Sequence, residues 1–192
     1  MKEIENILSF IVELDKLKNV YRKSRPVGVD RYENSAEHSW QVCLAALALK
    51  DFANEKTDID RVIKMLLIHD LGEIDAGDTI VYAGKSREQK AQETAGVERL
   101  LSFLSESNCK EYLALWFEFE EGETPEAKFA RAIDRVPPLL QNLNGKGCTW
   151  QENNIGKEQV FTVNRRISEG SRELWKTIKA MLDKAVADGI LK

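Results

Sequence analysis

The stretch Val62-Ile63-Lys64-Met65-Leu66-Leu67-Ile68-His69-Asp70-Leu71-Gly72 decides the fold class of this chain. Ile63, Leu66 and Leu67 have the three-and-four spacing of an amphipathic helix, and we predict that they form its buried face. Gly72 is typical of a position just past a helix end. The adjacent pair His69 and Asp70 is therefore expected where a helix stops.

Helical patterns continue on both sides of this stretch, and no segment reads as a β-strand. Thr57, with Asp60 three residues later, can cap the start of the helix described above. Further helices are predicted over about 2–20, 36–53, 86–104 and 110–121, from Thr124 with an interruption at Pro137, and over about 158–188, with loops over about 74–85 and 144–157. The sequence thus predicts one all-α domain of six or seven helices over residues 1–192, with its motif core over about 30–145.

The composition argues against several classes of partner. The chain has 192 residues, 43% of them hydrophobic, and a net charge of -4. A nucleic-acid polymer or an anionic membrane surface is normally bound by a basic surface, so neither is expected as a partner. The longest apolar runs, such as residues 44–49, are too short to span a bilayer. A small anionic substrate stays compatible with this charge, because one metal ion and one arginine can set the local field.

The number and spacing of the cysteines indicate the cellular compartment of the protein. Cys43, Cys109 and Cys148 are odd in number and form no C-x-x-C pair. This pattern favours reduced thiols over a disulfide framework. The N-terminus is acidic and amphipathic, unlike a signal peptide. We therefore expect a cytoplasmic protein.

The chain has only two histidines, and both occur in segments that suggest metal binding. His38 falls in the first turn of a predicted helix, His69 is followed at once by Asp70, and Asp134 lies in an apolar helical run. Two imidazoles and two carboxylates suit one divalent transition metal, such as Mn, Fe, Co, Ni or Zn. Such an ion can lower the pKa of a bound water and make it a nucleophile. Adjacent helical residues point about 100° apart, so His69 and Asp70 can share an ion only at a helix end or bend.

Each of these residues also has an ordinary structural interpretation. A histidine near a helix start is often a satisfied polar group, and a His-Asp pair arises often by chance. Asp134 could pair with Arg131 or Arg135 on its own helix. If all of them are polar groups of the core, the chain is a structural all-α protein without chemistry.

Three motifs together resemble a known family. Asn34-Ser35-Ala36-Glu37-His38-Ser39, the stretch from His69 to Thr79, and Lys128-Phe129-Ala130-Arg131-Ala132-Ile133-Asp134-Arg135 are similar to the HD-domain phosphohydrolase superfamily. Within it, the bacterial 5′-deoxynucleotidase family and related HD hydrolases are the most similar, over about residues 5–185. The resemblance implies an all-α HD domain, one divalent metal per chain, a homodimer, and release of phosphate from deoxynucleoside 5′-monophosphates.

The resemblance also assigns roles to individual residues. It implies that the metal ligands are His38, His69, Asp70 and Asp134. It places the two proton-handling acids on Glu73 and Asp78, without deciding which is acid and which is base. It assigns the binding of the substrate phosphate to Arg22. This role suits arginine, because a guanidinium donates two parallel hydrogen bonds to phosphate oxygens.

The chain departs from the deoxynucleotidase pattern beside the substrate. Lys23 stands where that family has tryptophan, and Thr79-Ile80-Val81 replaces a proline-bearing segment. Lys23, Asp78 and Thr79 are therefore expected to contact the substrate, and the base and sugar preference stays open. A triphosphate or a diester is an alternative substrate, and a catalytically silent nucleotide sensor is a second alternative.

Glu37 has two interpretations. It could orient a ligand histidine from behind, or it could be a first-turn acid that favours the helix dipole.

Overall fold

The computed structural model describes residues 2–192, and within them every regular element is a helix. An isolated bridge joins Tyr21 to Asn34. The α-helices are α1 (Lys2–Leu14), α2 (Ser35–Leu49), α3 (Ile59–Ile68), α4 (Glu73–Ala76), α5 (Arg87–Leu101), α6 (Glu106–Glu121), α7 (Pro125–Asp134), α8 (Val136–Asn144), α9 (Cys148–Glu152), α10 (Lys157–Asn164), α11 (Ile167–Gly170) and α12 (Arg172–Ala187). The predicted all-α class is confirmed. Over the same residues, no helix combines the length and apolarity needed to cross a bilayer.

Residues 2–192 form twelve α-helices rather than the six or seven expected, and several of the additional ones lie in the C-terminal region. The predicted helix over 158–188 is three helices, α10 to α12, and the predicted loop over 144–157 contains α9. Ser171 causes the last break: its backbone is extended (φ -153°), and its Oγ accepts from the Leu174 amide to cap α12. The same hydroxyl donates to the Phe52 carbonyl at 2.6 Å. A partner 119 residues away cannot be read from local periodicity.

Several helix starts follow the predicted capping signals. Ser86 and Gln89 form the capping box of α5, and Thr124 caps α7, with Pro125 in its first turn. The start of α6 is earlier than predicted, because Ser105 accepts from the Asn108 amide and caps a helix that begins at Glu106. Pro137 falls in the first turn of α8, so the predicted interruption is confirmed.

Helix α3 is rotated relative to the prediction. Asp58 caps it, one residue later than expected, by accepting from two backbone amides. Val62, Met65 and Leu66 are completely buried, whereas Leu67 is 52% exposed. Leu67 follows the exposed residues Arg61 and Lys64 at helical spacing, so it lies on the polar face of α3, and the opposite face packs against α2, α6 and α7.

Two side chains of α6 hold the end of α3 in place. Trp116 donates its indole N–H to the carbonyl of His69 at 3.2 Å, and the Phe119 ring lies 5.1 Å from the His69 ring. Both aromatic residues are buried. Because each contact involves His69 itself, the position of the imidazole depends on core packing.

Gly170 at the end of α11 allows close approach to α7, the helix that carries Asp134. A Cβ at this position would lie 2.3 Å from the Lys128 carbonyl oxygen and 2.8 Å from the Ala132 Cβ. We expect Gly170→Ala to cost about 1–3 kcal/mol of unfolding free energy through overpacking, which lowers Tm by several degrees. Gly156→Ala is the control, since its nearest new neighbour would be an oxygen at 3.5 Å. Equal Tm values for the two variants would contradict this interpretation.

Candidate active site

Both histidines and Asp134 converge from three separate elements. His38 comes from the first turn of α2, His69 directly follows α3, and Asp134 is the last residue of α7. Asp134 Oδ1 lies 2.8 Å from His38 Nε2 and 3.5 Å from His69 Nε2. One ligand atom from each of the three residues lies within 4.8 Å of the others, which is compatible with binding to one metal ion.

The hydrogen bonding of His69 leaves a free lone pair inside this cluster. Its Nδ1 donates to the Leu66 carbonyl at 2.8 Å, so Nε2 carries the lone pair of the neutral ring. That Nε2 is buried and makes no hydrogen bond within residues 2–192. Burial lowers the pKa of His69, but the charges of Asp70 and Asp134 outweigh it and raise the pKa well above the usual value. The unpaired nitrogen and the excess of carboxylates fit a divalent cation.

Asp70 lies beside the cluster and connects it to Arg22. Its Oδ1 is 3.1 Å from His69 Nε2, and its Oδ2 accepts a hydrogen bond from Arg22 Nη1 at 2.9 Å. Both His69 and Asp70 face the cluster because α3 ends at Ile68 and residues 69–72 form a turn. The turn brings Gly72 so close to α5 that a Cβ there would lie 2.6 Å from the Glu93 carbonyl oxygen. The bend that the sequence required at Gly72 is therefore present.

Glu33 is a member of the site that sequence reasoning missed. Its side chain is buried, and its Oε2 lies 3.5 Å from His38 Nδ1. Gln141 donates to Oε1 at 2.5 Å and Ser24 donates to Oε2 at 3.0 Å. Burial raises the pKa of Glu33, but the contact with His38 and the charge of Arg22 lower it overall, so the carboxylate is ionised behind the imidazole. A carboxylate in this position fixes the orientation of a ligand histidine.

The structure favours the second interpretation of Glu37, that of an acid in the first turn of α2. Its Oε1 accepts from the Asn34 amide at 2.7 Å, which completes a capping box at the start of α2. Both of its oxygens also accept from Arg31, at 2.6 and 2.8 Å. Its carboxylate therefore stabilises the helix start, and the acid near His38 is Glu33.

These two acids give a matched pair of variants. We expect Glu33→Gln to weaken metal affinity about 10- to 100-fold, because the amide cannot hold the His38 ring as a carboxylate does. Glu37→Gln should leave metal affinity unchanged and cost about 1 kcal/mol or less of stability. Metal affinity is measured by competition with a chelator, and stability by thermal unfolding. A larger loss of affinity in Glu37→Gln than in Glu33→Gln would reverse the assignment.

Glu73 and Asp78 line the same cavity next to Asp70. Glu73 is buried and accepts a hydrogen bond from Ser35 Oγ at 2.7 Å, while Asp78 Oδ1 lies 3.8 Å from Arg22 Nη1. Burial, and then the charge of Asp70, raises the pKa of both carboxyl groups. Two acids with raised pKa values beside the His38, His69 and Asp134 cluster are suited to proton transfer.

The cavity encloses about 360 Å³, and all of the substrate residues expected from the sequence lie on its wall. Arg22 is mostly buried and is paired with Asp70. Lys23 is exposed, with its Nζ 5.8 Å from the Tyr32 ring centroid, and Thr79 Oγ1 accepts from Gln89 at 3.1 Å. The wall also includes Lys85, which sequence reasoning did not assign and which pairs with buried Glu93 at 2.7 Å.

Comparisons with known proteins show the family of this chain. The sequence profile of the HD domain family matches residues 14–175. The chain is 31% identical over 158 residues to the 5′-deoxynucleotidase HDDC2 of Bos taurus, covering 81% of this chain and 74% of that protein. The Dictyostelium discoideum protein of the same name is 30% identical over 170 residues, with 84% and 90% covered.

A solved structure shares both fold and sequence with this chain. It is a protein from Magnetospirillum magnetotacticum described as a predicted metal-dependent phosphohydrolase. The two superpose with a TM-score of 0.93 at 39% identity, over 100% of this chain and 99% of the other.

Proposed function

Because this chain belongs to the HD-domain family, we propose that it is a metal-dependent phosphomonoesterase that releases phosphate from deoxynucleoside 5′-monophosphates. The observation that carries the proposal is the convergence of His38, His69 and Asp134 on one point beside a cavity large enough for a nucleotide, whose wall includes His69 and Asp134. The relatives named 5′-deoxynucleotidase supply the substrate class.

The ligands proposed for the ion are His38, His69, Asp70 and Asp134, with one divalent transition metal per chain. Mixed nitrogen and oxygen donors are compatible with Mn, Co, Fe, Ni or Zn. The chain has two histidines in total, and both are used here, so a single-metal site is the simplest arrangement. When bound, the ion would supply Lewis-acid activation of water and neutralise phosphate charge.

The protein residues would then orient the substrate and move protons. Arg22 is held by Asp70 at 2.9 Å, so its guanidinium is fixed at the cavity wall with further N–H groups for phosphate oxygens. Glu73 and Asp78 would divide two tasks: one removes a proton from the attacking water, and the other donates a proton to the leaving 5′-oxygen. Lys23 and Thr79 would contact the nucleoside.

Phosphate release from a panel of nucleotides tests the proposal. Metal-stripped protein is reloaded with Mn, Co, Ni, Zn or Mg, and Asp70→Ala is compared with Asp75→Ala, an acid of the same segment that pairs with exposed Arg99. We expect metal-dependent release from dAMP that is lost only in Asp70→Ala. Activity confined to a triphosphate or a diester would replace the substrate class, and silence on every nucleotide with metal bound would favour a nucleotide sensor.

We also propose a homodimer. Helix α1 exposes an apolar stripe with three-and-four spacing: Ile4, Leu8, Ile11 and Val12 are each more than half exposed. Such a stripe on a surface helix is typical of a protein–protein contact. Light scattering should give twice the 21.9 kDa chain mass. The double variant Leu8→Lys with Ile11→Lys should give a monomer, whereas Leu44→Lys on α2 should not; a wild-type monomer would overturn the proposal.

We also propose the extent of the domain, the compartment of the protein and the class of its partner. Residues 1–192 would act as one unit, because the cavity wall takes residues from Arg22 to Arg166. The cysteines Cys43, Cys109 and Cys148 are free thiols in the structure, which fits the reducing cytoplasm. The partner is a small nucleotide rather than a nucleic-acid polymer or a membrane.

A further inference from the structure

The cavity wall also contains side chains that take no part in the proposed catalysis. Tyr82 lies on this wall and accepts two hydrogen bonds at its hydroxyl oxygen, one from Trp150 Nε1 and one from Asn164 Nδ2, both at 3.3 Å. A phenol oxygen that accepts twice has used its acceptor capacity. The hydroxyl of Tyr82 can therefore offer only its own O–H to a ligand.

Arg135 lies on the same wall, and its positive charge is not paired with a carboxylate of residues 2–192. Its Nη1 is buried without a hydrogen-bond partner, and no carboxylate within residues 2–192 lies within 4.0 Å of its guanidinium nitrogens. A guanidinium nitrogen that is buried without a partner is costly to the folded state. The cost is explained if a ligand brings the missing negative charge.

Other cations of the wall are already engaged. Arg22 pairs with Asp70 and Lys85 pairs with Glu93. Arg131 donates its Nη1 to the carbonyl oxygens of Phe119 and Glu120 at the end of α6. Among the mostly buried cations around the cavity within residues 2–192, Arg135 differs from these three in having no protein acceptor for any of its guanidinium nitrogens.

A smaller cavity of about 90 Å³ adjoins Arg135 and is bordered by further cations. Arg131, Arg135 and Arg166 border both cavities, and Lys128 adds a fourth cation to the smaller one. Three acids also border it: Glu121, Glu123 and Glu169. The only one of these acids paired with a bordering cation within residues 2–192 is Glu169, whose Oε1 is 3.9 Å from Arg166 Nε. The smaller cavity is therefore bordered by four cations and three acids, so its wall carries a small excess of positive charge.

We propose that Arg135, with the Tyr82 hydroxyl and Arg166, forms a subsite for a second phosphoryl group. A phosphoryl group carries only acceptors and negative charge, and it matches a wall that offers N–H and O–H donors. A nucleobase edge, in contrast, presents donors as well as acceptors. The inference rests on the proposed function, since the first phosphate would occupy the metal centre.

The second phosphoryl group has three possible sources. It can be a β-phosphate on the 5′ side, a phosphate on the 3′-oxygen of the same nucleotide, or a free orthophosphate ion. All three share the chemistry that Arg135 recognises. The test therefore compares them directly.

Binding to the metal-loaded, full-length protein tests the subsite without turnover. The probes are the 5′-phosphonate analogue of dAMP, which has no hydrolysable ester bond to phosphorus, the same analogue with a 3′-phosphate or with a β-phosphoryl group joined through carbon, and orthophosphate. The variants are Arg135→Gln and Arg166→Gln, with exposed Arg87→Gln as the control for the same change in charge. Metal content and thermal unfolding of each variant are measured first. Arg166 is mostly exposed, so its variant keeps the test available if Arg135→Gln does not fold.

We expect a second phosphoryl group to tighten binding by about tenfold or more in the wild type. This gain should vanish in Arg135→Gln, shrink in Arg166→Gln and persist in Arg87→Gln. If only orthophosphate depends on Arg135, the subsite exists and takes the free ion. If no probe depends on Arg135 or Arg166, the subsite is refuted. Since no probe needs to be hydrolysed, absence of nucleotidase activity and absence of this subsite are separate results.

Discussion

Asp134→Asn is expected to abolish metal binding and to lower phosphate release from dAMP by about a thousandfold or more. Asp134 Oδ1 is the atom that both imidazoles approach, at 2.8 and 3.5 Å, so its carboxylate joins α2 to α3 at the metal centre. Loss of a metal that stabilises transition-state charge removes several kcal/mol, which corresponds to this factor in rate. Metal content is measured by mass spectrometry after dialysis, and rate by phosphate release.

The control for this variant is Asp183→Asn. Asp183 lies on α12 and pairs with exposed Lys179 at 2.7 Å. Its variant makes the same change in charge as Asp134→Asn, at a position away from the cavity. It should retain one metal per chain and the wild-type rate. If Asp134→Asn also retained stoichiometric metal and full activity, the three-residue cluster would not be the metal centre.

Glu73→Gln is expected to lower kcat by about 10²–10⁴-fold while metal content stays at one per chain. Glu73 is buried, and its pKa is raised well above the usual value, first by burial and then by the charge of Asp70. The amide keeps the hydrogen bond from Ser35 Oγ at 2.7 Å but cannot transfer a proton. The loss should therefore appear in kcat, with little change in thermal stability.

Asp78→Asn allows the two acids to be distinguished. A substrate whose leaving group needs no protonation, such as p-nitrophenyl phosphate, should rescue the variant of the general acid and not that of the general base. The rescued variant identifies the acid among Glu73 and Asp78. Full activity of both variants on dAMP would contradict the proton-transfer roles proposed for them.

Local sequence patterns were sufficient for the fold class and for singling out the three residues of the His38, His69 and Asp134 cluster. Capping residues such as Ser86 and Thr124 act on amides two or three positions away, so the sequence contains the whole interaction. His38, His69 and Asp134 could be proposed because each lies within a recognisable motif. Their meeting point depends on the packing of α2, α3 and α7, which the sequence does not display.

Residues that act through distant partners could not be predicted. Glu33 reaches His38 because the Arg22 amide donates to the Glu33 carbonyl and the Glu33 amide donates to the Ser24 carbonyl, which folds the preceding loop back. Its partner Gln141 is 108 residues away. Arg135 looked like a pairing partner for Asp134, yet its guanidinium lies on the cavity wall. In each case the outcome depends on tertiary packing, which leaves no periodic signal in the chain.

An anomalous difference map from crystals grown with manganese or zinc tests the central claim most directly. Data collected at the absorption edge of the metal locate each ion independently of any assumed chemistry. We expect one peak per chain, within bonding distance of His38 Nε2, His69 Nε2 and carboxylate oxygens of Asp70 and Asp134. Two peaks of equal height in one chain would contradict the single-metal site, and no peak between the two imidazoles would contradict the metal centre itself.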